Sequence, residues 1–141
     1  MHAGWDQHNN LPTQLAVQTK DTDQPAAGLV RDLKQRGLLD TTLVLWMGEF
    51  GRTPRINGRG GRDHYPRAYN VAMAGAGVQG GQVIGATDDG GVEITDQPAS
   101  VNDLLTTIYD ALGIDSFHEN MSPIGRPIQI VENGSLIDGV F

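Results

Sequence analysis

Hydrophobic and polar positions along the chain predict two helices, two apolar strands and a long unpatterned middle. Residues 1–22 are polar, with Trp5, Leu11, Leu15 and Val17 too scattered for one period, so they read mostly as loop with a strand end near Trp5. From Asp23 the pattern sharpens. Asp23 is a capping-type residue, Pro25 suits a first helical turn, and Ala26, Leu29, Val30 and Leu33 recur at helical spacing until Gly37. Residues 41–47 are β-branched and apolar without alternation, as expected of a central strand covered on both faces.

Residues 48–68 hold two prolines, five glycines and no apolar period, which predicts a long loop of the kind compact domains keep for function or leave disordered. Residues 70–74 read as a second buried strand, and residues 75–91 as turns around a short apolar Val83-Ile84. Ser100 and Asp103 resemble a capping box, with Asp in place of the usual Glu or Gln. They introduce a helix with Val101, Leu104, Leu105, Ile108 and Leu112 on one face and Gly113 at its end. Residues 127–131 suit a short edge strand. Helix, strand, loop, strand, helix is an α/β order, and two or three strands make a meagre sheet, so residues 1–141 are expected to be a single partial domain cut from a larger one.

Composition narrows the chemistry. The formal charge is −7, which disfavours general binding to nucleic acid or to an anionic membrane face. The longest apolar stretch, residues 43–47, is far short of a membrane span, and no charged-then-apolar leader is visible, so a soluble chain is expected. With no cysteine, thiolate metal sites and a cysteine nucleophile are excluded, leaving oxygen and imidazole ligands.

Asp6 and His8 stand two residues apart, on the same side of the chain if that segment is extended. Glu49 follows the predicted central strand at its carboxyl end, where open α/β sheets place ligands, although a Glu there also suits a turn cap. Asp63 and His64 add a second carboxylate and imidazole inside the long loop. Asp63 either ligates directly or orients His64. If these groups converge, they form a mixture that binds zinc or manganese. Residues 51–68 also carry Arg52, Arg55, Arg59, Arg62 and Arg67 against the single acid Asp63, a net +4 that leaves −11 on the remainder. Guanidinium forks match phosphate, sulfate or carboxylate oxygens, which favours a small anionic ester; pairing with nearby acids or another subunit is the alternative. Arg52 and Arg62, nearest the candidate ligands, are the candidate catalytic cations. Gly75-x-Gly77-x-x-Gly80 spells a dinucleotide fingerprint, but the glycine-rich sequence after it leaves no helix for a pyrophosphate, so a tight turn is expected. His2 and His118 have no partner pattern and no assigned role.

Gly4-Trp5-Asp6-Gln7-His8, the stretch Leu45-Trp46-Met47-Gly48-Glu49-Phe50-Gly51-Arg52-Thr53-Pro54 and Gly61-Arg62-Asp63-His64-Tyr65-Pro66, in that order, resemble the domain-of-unknown-function 1501 family, sulfatase-like proteins related to the alkaline phosphatase superfamily. The likeness continues through Ala74-Gly75-Ala76-Gly77 and the helix after Ser100. It implies the carboxyl-terminal part of an alkaline-phosphatase-like α/β/α sandwich with a mainly parallel sheet. It also implies a partial metal-dependent hydrolase of phosphate or sulfate esters, and weakly an exported protein. By the resemblance, Asp6 and His8 form the aspartate and histidine pair of a metal site, Glu49 takes the place of an acidic ligand, and His64 that of a later metal-binding histidine. Two departures stand out: Phe50 replaces the His that often follows the acidic ligand, and the superfamily's nucleophile has no counterpart. A non-catalytic relative with a structural or anion-binding role, or a truncated product that folds poorly, are the competing readings.

Overall fold

The computed structural model describes residues 4–141, so His2 lies outside the described residues. Its elements are α1 (Leu11–Gln35), a 3-10 turn at Leu39–Thr41, β1 (Val44–Trp46), β2 (Gly51–Arg52), β3 (His64–Tyr65), β4 (Ala72–Ala74), β5 (Ala86–Thr87), β6 (Ile94–Asp96), α2 (Val101–Ala111), β7 (Glu119–Met121) and β8 (Pro127–Gln129). The strands pair as four separate antiparallel ladders, β1 with β4, β2 with β3, β5 with β6 and β7 with β8.

This arrangement corrects the expected carboxyl-terminal part of an α/β/α sandwich with a mainly parallel sheet. Parallel neighbours require a crossover, usually a helix, and the stretch between β1 and β4 contains none. The two apolar strands therefore meet antiparallel, with Leu45 opposite Met73. Nor is β1 covered on both faces, because Trp46 is 52% exposed. An apolar run without alternation fits a buried parallel strand, but it does not specify the partner's direction.

The first helix is a second correction. It begins at Leu11, not Asp23, and passes through Pro25. Its partly buried positions are Leu11, Gln14, Gln18, Thr22, Ala26, Val30 and Leu33, a clean three-and-four spacing. The first half of that face is polar, so a search for apolar periodicity misses it. No strand end forms at Trp5. The loop expected over residues 48–68 contains the short β2–β3 ladder. Residues 75–80 form turns without a following helix, with Gly75 and Gly77 both at positive φ.

α2 forms with the cap and the stop that its sequence predicts, but the buried face is a correction: of the expected apolar stripe Leu104 is buried while Val101, Leu105 and Leu112 are exposed. Ser100 Oγ accepts from the Asp103 amide at 3.1 Å while Asp103 Oδ2 accepts from the Ser100 amide at 2.7 Å, a reciprocal cap. The Ser100 hydroxyl, which donates to Asp103 Oδ2 at 2.6 Å, then the Ser100 and Ser135 amides, hold the Asp103 carboxyl below the usual range. The buried side of α2 carries Leu104, Thr106 and Thr107, and the carboxyl-terminal chain lies along it. Asn102 donates to the Glu132 carbonyl, and Thr107 Oγ1 accepts from the Ile137 amide. Val131 and Val140 complete the small apolar core. Among the described residues, no helix is long and apolar enough to cross a membrane.

Candidate metal centre

The centre is built by lacing residues 6–11 against the loop between β2 and β3. The amides of Asn10 and Leu11 donate to the carbonyls of Arg59 and Gly60, and the Arg62 amide donates back to the Gln7 carbonyl. This close approach depends on Gly61, because a Cβ there would collide with the His8 and Asn9 backbone. On the other side of the loop, β2 and β3 set Arg52 opposite His64.

Asp6, His8 and His64 thereby converge. His64 Nε2 lies 2.8 Å from Asp6 Oδ1, His8 Nε2 lies 3.1 Å from the same oxygen, and the two Nε2 atoms are 3.1 Å apart. Arg52 Nη1 donates to Asp6 Oδ1 at 2.6 Å. The hydrogen bond from His64, then that from Arg52, lowers the Asp6 pKa from 3.8 to about 2. His8 is half-buried, while Asp6 and His64 are exposed, so the triangle opens to solvent.

The remaining candidates fall around this triangle in different ways. Asp63 Oδ1 takes a hydrogen bond from His8 Nδ1 at 2.7 Å, so its imidazole partner is His8, whereas the sequence offered His64. That bond, with a second from Asn57, lowers the Asp63 pKa. Arg62 Nη1 donates to the carbonyls of Thr53 and Pro54 at 2.7 and 2.9 Å, closing the loop. Glu49 is exposed in the bend after β1 and is not a member of the converging group. Phe50 packs its ring 4.3 Å from that of His64, and the Arg52 guanidinium stands 5.5 Å over the Phe50 ring.

Sequence reasoning missed Asn57, the hub of the loop. Its Oδ1 accepts from the amides of Arg59 and Gly61, and its Nδ2 donates to the His8 carbonyl and to Asp63 Oδ1. The available signal was Asn57-Gly58, a strong turn pair inside an otherwise unpatterned segment.

A metal ion requires ligand atoms at fixed separations. Atoms about 2.0–2.2 Å from one zinc-like ion lie roughly 2.8–3.5 Å from each other in tetrahedral or octahedral geometry. The three edges at Asp6, His8 and His64 fall in that range, and two imidazoles with a carboxylate are borderline ligands suited to zinc or manganese. The donor set thus fits such an ion without rearranging the backbone.

Compared with known families, residues 1–141 match the one described as "Protein of unknown function (DUF1501)". No curated protein and no solved structure matches the chain.

Proposed function

Starting from the premise that the chain belongs to the DUF1501 family, we propose that Asp6, His8 and His64 hold one divalent cation, zinc or manganese, in a hydrolase of phosphate or sulfate esters. The observation that carries this reading is the triangle of ligand atoms with edges of 2.8, 3.1 and 3.1 Å. When bound, the cation supplies Lewis acidity toward an ester oxygen. The chain's own residues hold the site, as part of a hydrolase whose nucleophile they do not supply. Asp6 stays ionised down to about pH 2, so protons do not compete for its oxygen near neutrality. His8 is held by Asp63, and Phe50 supports the His64 ring. Arg52, already against the ligands, brings positive charge to the rim where an anionic ester would enter. Arg62 acts one step back, keeping the loop closed through the Thr53 and Pro54 carbonyls.

One observation favours a second, non-catalytic reading. Asp6 Oδ1 already accepts from Arg52 and lies against both imidazoles, a set that closes on itself without a cation. Metal analysis separates the two. The hydrolase reading expects about one equivalent of zinc or manganese after dialysis, with His8→Ala and His64→Ala each weakening uptake at least 100-fold, beyond the roughly 10–100-fold typical of supporting residues. Unchanged metal content in both variants overturns it. Turnover of an aryl phosphate or aryl sulfate that is lost with the metal supports the hydrolase over the structural network.

A further inference from the structure

The two imidazoles of the centre are not equivalent, and the hydrogen bonds around them say which protons they carry. The chain of assignment begins at the backbone. The amides of Arg59 and Gly61 are obligatory donors, and both point at Asn57 Oδ1, at 2.9 and 3.0 Å. This fixes which end of the Asn57 side chain is oxygen, an assignment heavy-atom positions alone leave open. The Nδ2 end must then donate, and it reaches the His8 carbonyl and Asp63 Oδ1, both at 3.1 Å. An ionised carboxylate oxygen only accepts, so its 2.7 Å contact with His8 Nδ1 requires the proton to sit on that nitrogen.

We infer that Asn57 and Asp63 are positioning residues that lock His8 in its Nδ1–H tautomer, leaving its Nε2 without a proton, 3.1 Å from His64 Nε2. The opposite tautomer follows for His64. Its Nε2 lies 3.1 Å from the bare His8 Nε2 and 2.8 Å from Asp6 Oδ1, two acceptors, so the proton sits on His64 Nε2. His8 is thus set for a cation in advance, and His64 is the ring that must change. With a cation held at its Nε2, this ring would carry its single proton on Nδ1 instead, its charge unchanged. The use of this arrangement rests on the proposed metal reading, while its proton positions are measurable without any metal.

The test is long-range proton–nitrogen correlation on the whole chain, with nitrogen-15 in its histidines, at about pH 8, where an ordinary imidazole is neutral. Residue assignment uses His8→Gln and His64→Gln. The metal-free chain is expected to show an unprotonated Nε2 at His8 and an unprotonated Nδ1 at His64; the reverse at His8 overturns the inference without need of any further variant. Because both donors converge on one oxygen of Asp63, Asp63→Asn retains an acceptor there and is expected to keep the His8 tautomer. Asp63→Ala shifts His8 toward Nε2–H; an unshifted ring in that variant also overturns the inference. Zinc chloride titrated into the chain is expected to leave the His8 tautomer in place, to move the His64 proton to Nδ1, and to bind about 10–100-fold more weakly after Asp63→Ala or Asn57→Ala. If the metal-free tautomers are as stated and zinc does not bind, the positioning role stands and the metal reading alone fails.

Discussion

The loop lobe that carries the Asp6, His8 and His64 cluster and the α2 lobe are each held together by different forces. Around α2, a reciprocal cap fixes the helix start, and Leu104, Val131 and Val140 are withdrawn from water. Around the centre, side chains from residues 6–8 and 52–64 are positioned almost wholly by hydrogen bonds to carbonyls, amides and carboxylates. Apolar burial is non-directional and contributes stability, whereas hydrogen bonds contribute little net energy each but fix position. The α2 lobe therefore anchors, and the loop lobe aims.

The strongest way to break this contrast is Leu104→Ala. Leu104 is 5% exposed, and truncating a buried Leu costs about 2–5 kcal/mol through lost transfer energy and a cavity. Denaturant unfolding should show that loss. Zinc affinity of the folded variant should change less than about twofold, since none of the bonds that hold Asp6, His8 and His64 involves α2 and sites without shared partners act independently. A large affinity change would mean the two lobes are mechanically one.

A smaller effect sharpens the α2 side. Ser100→Ala removes the oxygen that accepts from the Asp103 amide and should cost about 1 kcal/mol. Asp103 loses a partner in the same change and keeps the Ser135 amide, so the drop should be partial and visible as a lowered denaturation midpoint with an unchanged slope.

The same contrast explains what could be read in advance. The bounds of α2 were legible because its cap and its stop are local in sequence, whereas its buried face was not, since Thr106 and Thr107 are covered while Val101, Leu105 and Leu112 stay exposed. The start of α1 was not, because the inner face of its first turns is Gln14, Gln18 and Thr22, which carry no hydrophobic period. The direction of β1 was not legible either: Val44, Leu45 and Trp46 announce an apolar strand, but its partner was decided by the lack of a helix before Ala72. In the centre, the residue types were visible and their meeting was not. Asp6 and His64 are 58 positions apart, and Gly61 and Asn57, which bring them together, look like ordinary turn residues. Glu49, placed by analogy with a sheet that does not form, stands in a bend outside the triangle.

The finest test of the aiming lobe is the titration of Asp6 itself, followed by carbon-13 shifts of its carboxyl group. Its pKa is lowered from 3.8 to about 2, so its contribution to order is complete above 3.8 and is lost as the pH falls through about 2. The His64 hydrogen bond is the largest single cause and the Arg52 bond the second, with the charges of His8 and Arg52 adding to them. His64→Ala and Arg52→Gln should each return the midpoint part of the way toward 3.8. The carboxyl is exposed, so neither change should move the unfolding midpoint at pH 7 appreciably. A midpoint unmoved by His64→Ala would place the guanidinium, and not the imidazole, at the head of the network. It would also shift weight from a centre poised for a cation to an ion pair complete in itself.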